Sequence, residues 1–331
     1  MKCAHECAKG VRWKASVQNF EIDKLQWVCQ LQNDILEGKY KSKGFKRFDI
    51  VERGKLRHIQ AVHISERVVQ KSLCNYVLKP ALESEYMYDN SASQKNKGTE
   101  FAIKRLRKHL KRHYDRHGLE GGILVMDFHD YFGSIPHDKA ISMIEDKLPD
   151  DTANLYVEMF INCFSGDKGL GLGSEISQVA SVYYPTEFDR LIQSMSEDNA
   201  RYMDDSYAID EIETLELIEQ LAIEKAAELG ITVNEQKTHI HPFVADDFVF
   251  LKKRVRLQES GEITMRLSRK NVTAERRSIV KMQKDVESGF RTKESADISY
   301  KSWRSYAMKM QAYNTVHTMD IFYVKHLGRF K

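Results

Sequence analysis

Two adjacent aspartates, Asp204 and Asp205, sit inside ARYMDDSYAI between apolar flanks. This pair restricts the fold more than any other feature of the chain. Neighbouring carboxylates are costly to bury unless a cation neutralises them. Apolar residues on both sides of a tight turn predict a hairpin with the acidic pair exposed at its tip. A second segment, GGILVMDF at 121–128, is a Gly-led apolar strand that ends in Asp127. If that strand lies beside the hairpin, three carboxylates converge, a site for hard divalent cations such as Mg²⁺. Taken alone, an Asp-Asp pair also fits an ordinary surface turn, so the rest of the chain must decide.

The 331 residues, 42% hydrophobic and 30% charged, suffice for a sizeable core and two or three lobes. No apolar run approaches the roughly 18 residues that span a bilayer. The charged N-terminus MKCAHECAKGVRWK lacks the apolar stretch of a signal peptide. A soluble, cytoplasmic protein with no membrane partner is expected. The five cysteines are scattered and odd in number, so no disulfide framework is implied. Cys3, His5 and Cys7 are close together, but no second ligand pair follows at finger-like spacing, and zinc is not expected.

Net charge is only +3, and its distribution says more. Residues 101–118 hold seven Lys/Arg and one acid, and residues 264–281 hold six and one, whereas 211–228 is acidic. Such patches suit a groove along a phosphate backbone, and equally suit solvated helix faces. Hydrophobic spacing predicts helices over 15–40, 66–83, 99–115, 138–148, 174–195 and 211–229. Strands are predicted at 46–51 and 56–62 around a Glu52-Arg53-Gly54-Lys55 turn, at 121–128, and near 231–240 and 247–257. The last 60 or so residues read as mainly helical. The mixture is an α+β pattern.

RYMDD matches the Tyr-x-Asp-Asp signature of reverse transcriptases. LVMDFHDYFGSIPH resembles their motif A, and GLGLGSEISQVASVYYPTEFD their motif B. GITVNEQKT resembles motif D, and DFVFLKKRV the motif E primer grip. The segment RFDIVERGKLRHIQAVHISERVVQKSLCNYVLKPAL resembles the fingers of bacterial enzymes. Together the motifs occur in the family's order across about residues 45–325. Leu172-Gly173 stands where many members have Gln-Gly, which is similar to the enzymes of diversity-generating retroelements and related anti-phage systems. Three positions depart from that group's pattern: Gly171 replaces a proline, Ser181 an asparagine and Lys252 a glycine.

The resemblance implies a right-hand polymerase with an antiparallel palm sheet. It places N-terminal helices and fingers at 1–120, palm at 121–255 and helical thumb at 256–331. It implies an RNA-directed DNA polymerase with two Mg²⁺ ions, for which Mn²⁺ can substitute. Asp127, Asp204, Asp205 and the Phe128 carbonyl would hold the metals. Lys237 would give a proton to the leaving pyrophosphate. Lys55, Arg57, Asp130, Tyr131, Phe132, Leu172, Gly173, Ser177 and Gln178 would meet the incoming nucleotide, with Phe132 as the gate against a ribose 2′-hydroxyl. Phe250, Leu251 and Lys252 would form the primer grip. Implied partners are an RNA template, including a dedicated non-coding RNA, a DNA primer and product, dNTPs, and an accessory protein or a second copy of the chain. Trp303, Tyr306, Tyr313 and Phe322 read as thumb core rather than base-stacking residues. No acidic constellation resembling RNase H is present, so strand cleavage is expected from other factors. Two rivals stand: a template-independent or protein-primed DNA polymerase on the same fold, and a non-catalytic RNA-binding protein.

Overall fold

A computed structural model describes residues 1–52, 55–310 and 312–330, with only the backbone described for Glu52, Lys55 and Arg57. The expected turn at Arg53-Gly54 therefore falls outside the described residues. Three helices open the chain, α1 (Lys2–Ala8), α2 (Ala15–Ile22) and α3 (Lys24–Leu36). The single helix expected over 15–40 is thus two, broken at Asp23. A two-stranded ribbon follows, β1 (Phe45–Glu52) and β2 (Lys55–Val62). Then α4 (Ile64–Leu73) runs through one π turn at Cys74–Leu78 into α5 (Lys79–Leu82), and α6 covers Thr99–His117.

The central part comprises β3 (Gly122–His129), α7 (Tyr131–Ser134), α8 (His137–Glu145), α9 (Asp151–Asn162), α10 (Glu175–Tyr183) and α11 (Thr186–Met195). It continues with β4 (Asp198–Tyr202), β5 (Asp205–Asp210), α12 (Ile212–Glu228), β6 (Thr232–Val233) and β7 (His239–Pro242). The helix expected over 174–195 is interrupted at Tyr184-Pro185, because proline has no amide hydrogen for the helix ladder. Three short strands come next, β8 (Phe248–Phe250), β9 (Lys253–Leu257) and β10 (Ile263–Leu267). Strand β10 lies where helix was expected. The chain ends in α13 (Arg269–Glu287), α14 (Lys293–Lys309) and α15 (Tyr313–Leu327). Ser268 caps α13 and Thr292 caps α14, each accepting a backbone N–H bond.

Strand β3 is the axis of the molecule. It pairs antiparallel with β5 on one edge, and with β7 and β6 in turn on the other, while β4 pairs with β5. Alternate residues of a strand point to opposite faces. Leu124, Met126 and Phe128 therefore pack with residues of α8–α12. Ile123 and Val125 join Tyr207 and Ile209 beneath α6 and the β8–β10 sheet. Both faces are covered, which is why the strand is apolar almost throughout. Each fully buried Leu, Ile or Phe there contributes roughly 1.5–3 kcal/mol.

The C-terminal helices share a separate core around Tyr300, Met319 and Tyr323. Trp303 and Phe322 pack against that core, and the Trp303 indole N–H donates to Asn271 at 2.8 Å. Tyr313 differs: its ring is exposed. Cys3 and Cys7 are buried beside Val17, Phe20, Ile64 and Val68, while His5 faces out. Among the described residues no helix is long and apolar enough to cross a membrane.

Candidate active site

The aspartates are brought together by strand register. Asp127 lies directly opposite Asp205 in the β3–β5 ladder, and Tyr202 opposite Asp205 in the β4–β5 hairpin. Met203 and Asp204 form the two-residue turn between them, with Met203 in the left-handed region at φ +57°. Asp127 is 7% exposed. Burial, then the charges of Asp204 and Asp127, push Asp205 up to about 7, while Lys237 and Lys252 oppose the rise. Like charges held this close bind positive charge readily.

Lys237 already supplies one such charge. Its Nζ donates to Asp127 Oδ1 at 2.6 Å and Oδ2 at 2.8 Å. Asn234 supports the same carboxylate from its side chain at 3.2 Å, and its backbone N–H donates to the Asp127 carbonyl at 2.7 Å. Among the described residues no three Asp, Glu, His or Cys side chains form a ready-made cation cage. The donor set consists of hard carboxylate oxygens, and an ammonium sits on one of them. Both observations fit a hard divalent cation.

The segment after Asp127 turns sharply. Asp130 is left-handed at φ +42° and exposed, and its carbonyl accepts from Gly133 N–H at 2.9 Å. Tyr131 is buried, with its hydroxyl donating to the Ser181 carbonyl. Phe128 is also core, stacked on Tyr131. Phe132 is half-buried, edge-on to Tyr131, and its carbonyl accepts from Leu170 N–H at 2.6 Å.

The loop before α10 meets the β1–β2 ribbon. The Leu172 carbonyl accepts from Gln60 N–H at 2.9 Å, and Leu172 bridges Ile59 in parallel. Gly173, at φ +117°, lies so near that a Cβ would sit 2.9 Å from the Gln60 carbonyl oxygen. Only glycine meets both demands. Ser177 is buried with an unpartnered hydroxyl, and Gln178, on the same helix, is exposed. The backbones of Lys55 and Arg57 lie on β2, and their side chains are outside the described residues.

Phe250 is buried edge-to-face on Tyr207, 5.0 Å between centroids. Leu251 and Lys252 form the β8–β9 turn with φ +47° and +66°. The second value accounts for the glycine expected at position 252, which avoids the Cβ clash that lysine carries there. Sequence reading missed the charged groups that brace the hairpin. Arg201 binds Asp189 inside the protein. On the opposite side Arg105 and His109 contact Asp89, and His109 Nδ1 lies 3.0 Å from the Tyr207 hydroxyl. The basic helix α6 is accordingly divided: Arg105 and Arg112 are tied to Asp89 and Asp198, while Lys104, Arg107 and Lys108 face solvent. The Arg of ARYMDD was the one available signal.

The architecture is similar to two solved telomerases. One is an apo telomerase from Candida tropicalis truncated from its C-terminal domain, at 13% identity and a TM-score of 0.50, covering 67% of this chain and 54% of that one. The other is a telomerase from Candida albicans with a fragment of telomeric RNA, at 10% identity and 0.52, covering 87% and 61%. The chain thus spans little more than half the length of these structures, and shares with them the right-hand polymerase fold. No curated protein matches the sequence. Residues 41–251 match the family described as reverse transcriptase (RNA-dependent DNA polymerase), and with nearly two thirds of its length inside that match, as well as the aspartate geometry above, the chain belongs to the reverse transcriptase family.

Proposed function

We propose that this chain is an RNA-directed DNA polymerase that extends a DNA 3′-hydroxyl with dNTPs. The carrying observation is the register that sets Asp127 against Asp205 with Asp204 at the adjoining turn. In the reaction the 3′-hydroxyl gives its proton to water, its oxygen bonds to the α-phosphorus of the dNTP, the α–β phosphoanhydride bond breaks, and pyrophosphate leaves. Two Mg²⁺ ions, or Mn²⁺, would supply activation of the hydroxyl and charge stabilisation of the leaving group. Asp127, Asp204 and Asp205, with the Phe128 carbonyl, would hold them. Lys237, which holds its ammonium at the Asp127 carboxylate, would give a proton to the departing pyrophosphate.

The other assignments follow the same reading. Residues 1–120 serve as N-terminal helices and fingers, 121–255 as palm and 256–331 as thumb. The backbone amides of Asp130 and Tyr131, together with Lys55 and Arg57, would bind the triphosphate. Phe132 closes the space that a ribose 2′-hydroxyl would need. Leu172, Gly173, Ser177 and Gln178 border the incoming base, and Leu251 and Lys252 present the primer-grip turn, backed by Phe250. The aliphatic Leu172 favours a retroelement or phage-defence enzyme of bacterial or phage origin. Such an enzyme would act in the cytoplasm on a dedicated RNA, with an accessory protein or a second copy of the chain.

Primer extension tests this reading. Purified chain, Mg²⁺, four dNTPs and a primed RNA template should give template-dependent DNA and discriminate against ribonucleotides. Product without template, or product attached to protein, would move the chain to the template-independent or protein-primed class.

A further inference from the structure

Arg201 lies three residues before Asp204, and its side chain has no solvent exposure. It folds beneath the turn. Nε and Nη2 donate to the two carboxylate oxygens of Asp189 at 2.6 and 2.8 Å. Nη2 also donates to the Val182 carbonyl at 2.8 Å, and Nη1 to the Met203 carbonyl at 3.0 Å. Asp189, on α11, is 2% exposed, and Val182 is on α10. One guanidinium therefore ties the turn to two helices. The main chain of the same residue is held from the other side: Ser91 N–H donates to the Arg201 carbonyl at 3.0 Å, and Arg201 N–H to the Asp89 carbonyl at 3.4 Å.

The bond to Met203 matters most. A left-handed conformation is unfavourable for an L residue with a side chain, so something must hold it. The Met203 carbonyl belongs to the peptide plane that leads into Asp204. Fixing that plane fixes the direction in which Asp204 and Asp205 leave the turn. A planar guanidinium can fork across a carboxylate and still reach two carbonyls, which a lysine ammonium cannot. Stability alone is a poor reason for such a buried pair, because apolar residues of similar volume often do as well. They could not grip the Met203 carbonyl.

We propose that Arg201, oriented by Asp189, is a positioning residue for the catalytic carboxylates. It holds the left-handed Met203 so that Asp204 and Asp205 face Asp127, and it touches neither substrate nor cation. This role rests on the polymerase reading above.

Arg201→Lys and Asp189→Asn, in the full chain, test it on a primed RNA template. We expect kcat per folded molecule to fall about 100-fold in Arg201→Lys and about ten-fold in Asp189→Asn, with KM for dNTP and primer–template affinity within about three-fold of wild type. Hydrogen exchange gives a readout apart from activity. Amides of residues 203–206 should exchange about ten-fold faster in both variants, with β3 and α12 unchanged. Unaltered exchange at 203–206, or wild-type kcat per folded molecule, overturns the proposal. If Arg201→Lys does not fold, Asp189→Asn supplies both readouts. If the wild-type chain incorporates no nucleotide, the polymerase reading fails by itself, and exchange still decides whether Arg201 holds the turn.

Discussion

The β3–β5 sheet and the β1–β2 ribbon are both antiparallel, yet opposite means stabilise them. Seven of the eight residues of β3 are buried, and the Asp127 carboxylate near its end is braced by Lys237 and Asn234. The ribbon instead exposes Phe48, Ile50, Val51 and Leu56, with Val51 72% accessible. Its base is held by Phe45 stacked on Phe164, by Arg47 donating to Ser165, and by the Gln60–Leu172 bond. A two-stranded ribbon alone is marginal in water, so its outer part is the cheaper one to rearrange. The sheet gathers its charge on a buried scaffold, whereas the ribbon leaves apolar side chains in solvent.

Four measurements test whether sheet and ribbon differ in this way. The largest effect belongs to the sheet. Asp205→Asn should lower single-nucleotide incorporation by roughly 10³-fold or more, the worth of several kcal/mol of charge stabilisation, and leave primer–template affinity in an anisotropy titration intact. Next comes Lys237→Met. Loss of a positioned proton donor should slow incorporation about 10²-fold in rapid-quench measurements, without a matching change in KM.

The ribbon should respond differently. Gly173→Ala forces a Cβ against the Gln60 carbonyl in a conformation that disfavours side chains, at a cost of about 1–3 kcal/mol. We expect KM for dNTP to rise by up to about ten-fold, with kcat less affected and faster hydrogen exchange confined to β1 and β2. If kcat collapses instead, ribbon and sheet are not separable.

The smallest effect is on stability. Asp205 is raised to about 7, so the folded chain holds a proton there that an ordinary unfolded carboxyl has lost. Stability from that proton is complete below the ordinary carboxylate range and is lost as pH rises toward 7. In thermal melts without divalent cation, Tm should fall by a few degrees between pH 5 and pH 7.5 relative to Asp205→Asn. Equal slopes for the two proteins would show that the carboxylates do not sense one another.

Strand β3 was legible because burial on both faces leaves a continuous apolar run, and because a carboxylate near the end of such a run is costly to bury without a positive charge. The break at Tyr184-Pro185 was missed, although the proline inside the helical spacing was its signal. Strand β10 was not, since ITMRL is too short to separate from the helix that follows. The bracing pairs were illegible for another reason. Arg201 and Asp189 are twelve residues apart, and only the packing of α11 under the hairpin turns them toward each other. Arg105 was read as one cation in a basic patch, yet it is committed to Asp89. Periodicity reports which face is buried, not which charges meet inside.

If Asp127, Asp204 and Asp205 form a nucleotidyl-transfer site, replacing one of them must stop incorporation. Rapid-quench incorporation of one dNTP on a primed RNA template, wild type against Asp204→Asn, tests it most directly. The expected result is Mg²⁺-dependent addition of a single nucleotide by wild type and a loss of about 10³-fold or more in the variant, with both proteins binding the duplex equally. Equal rates in the two proteins would contradict it.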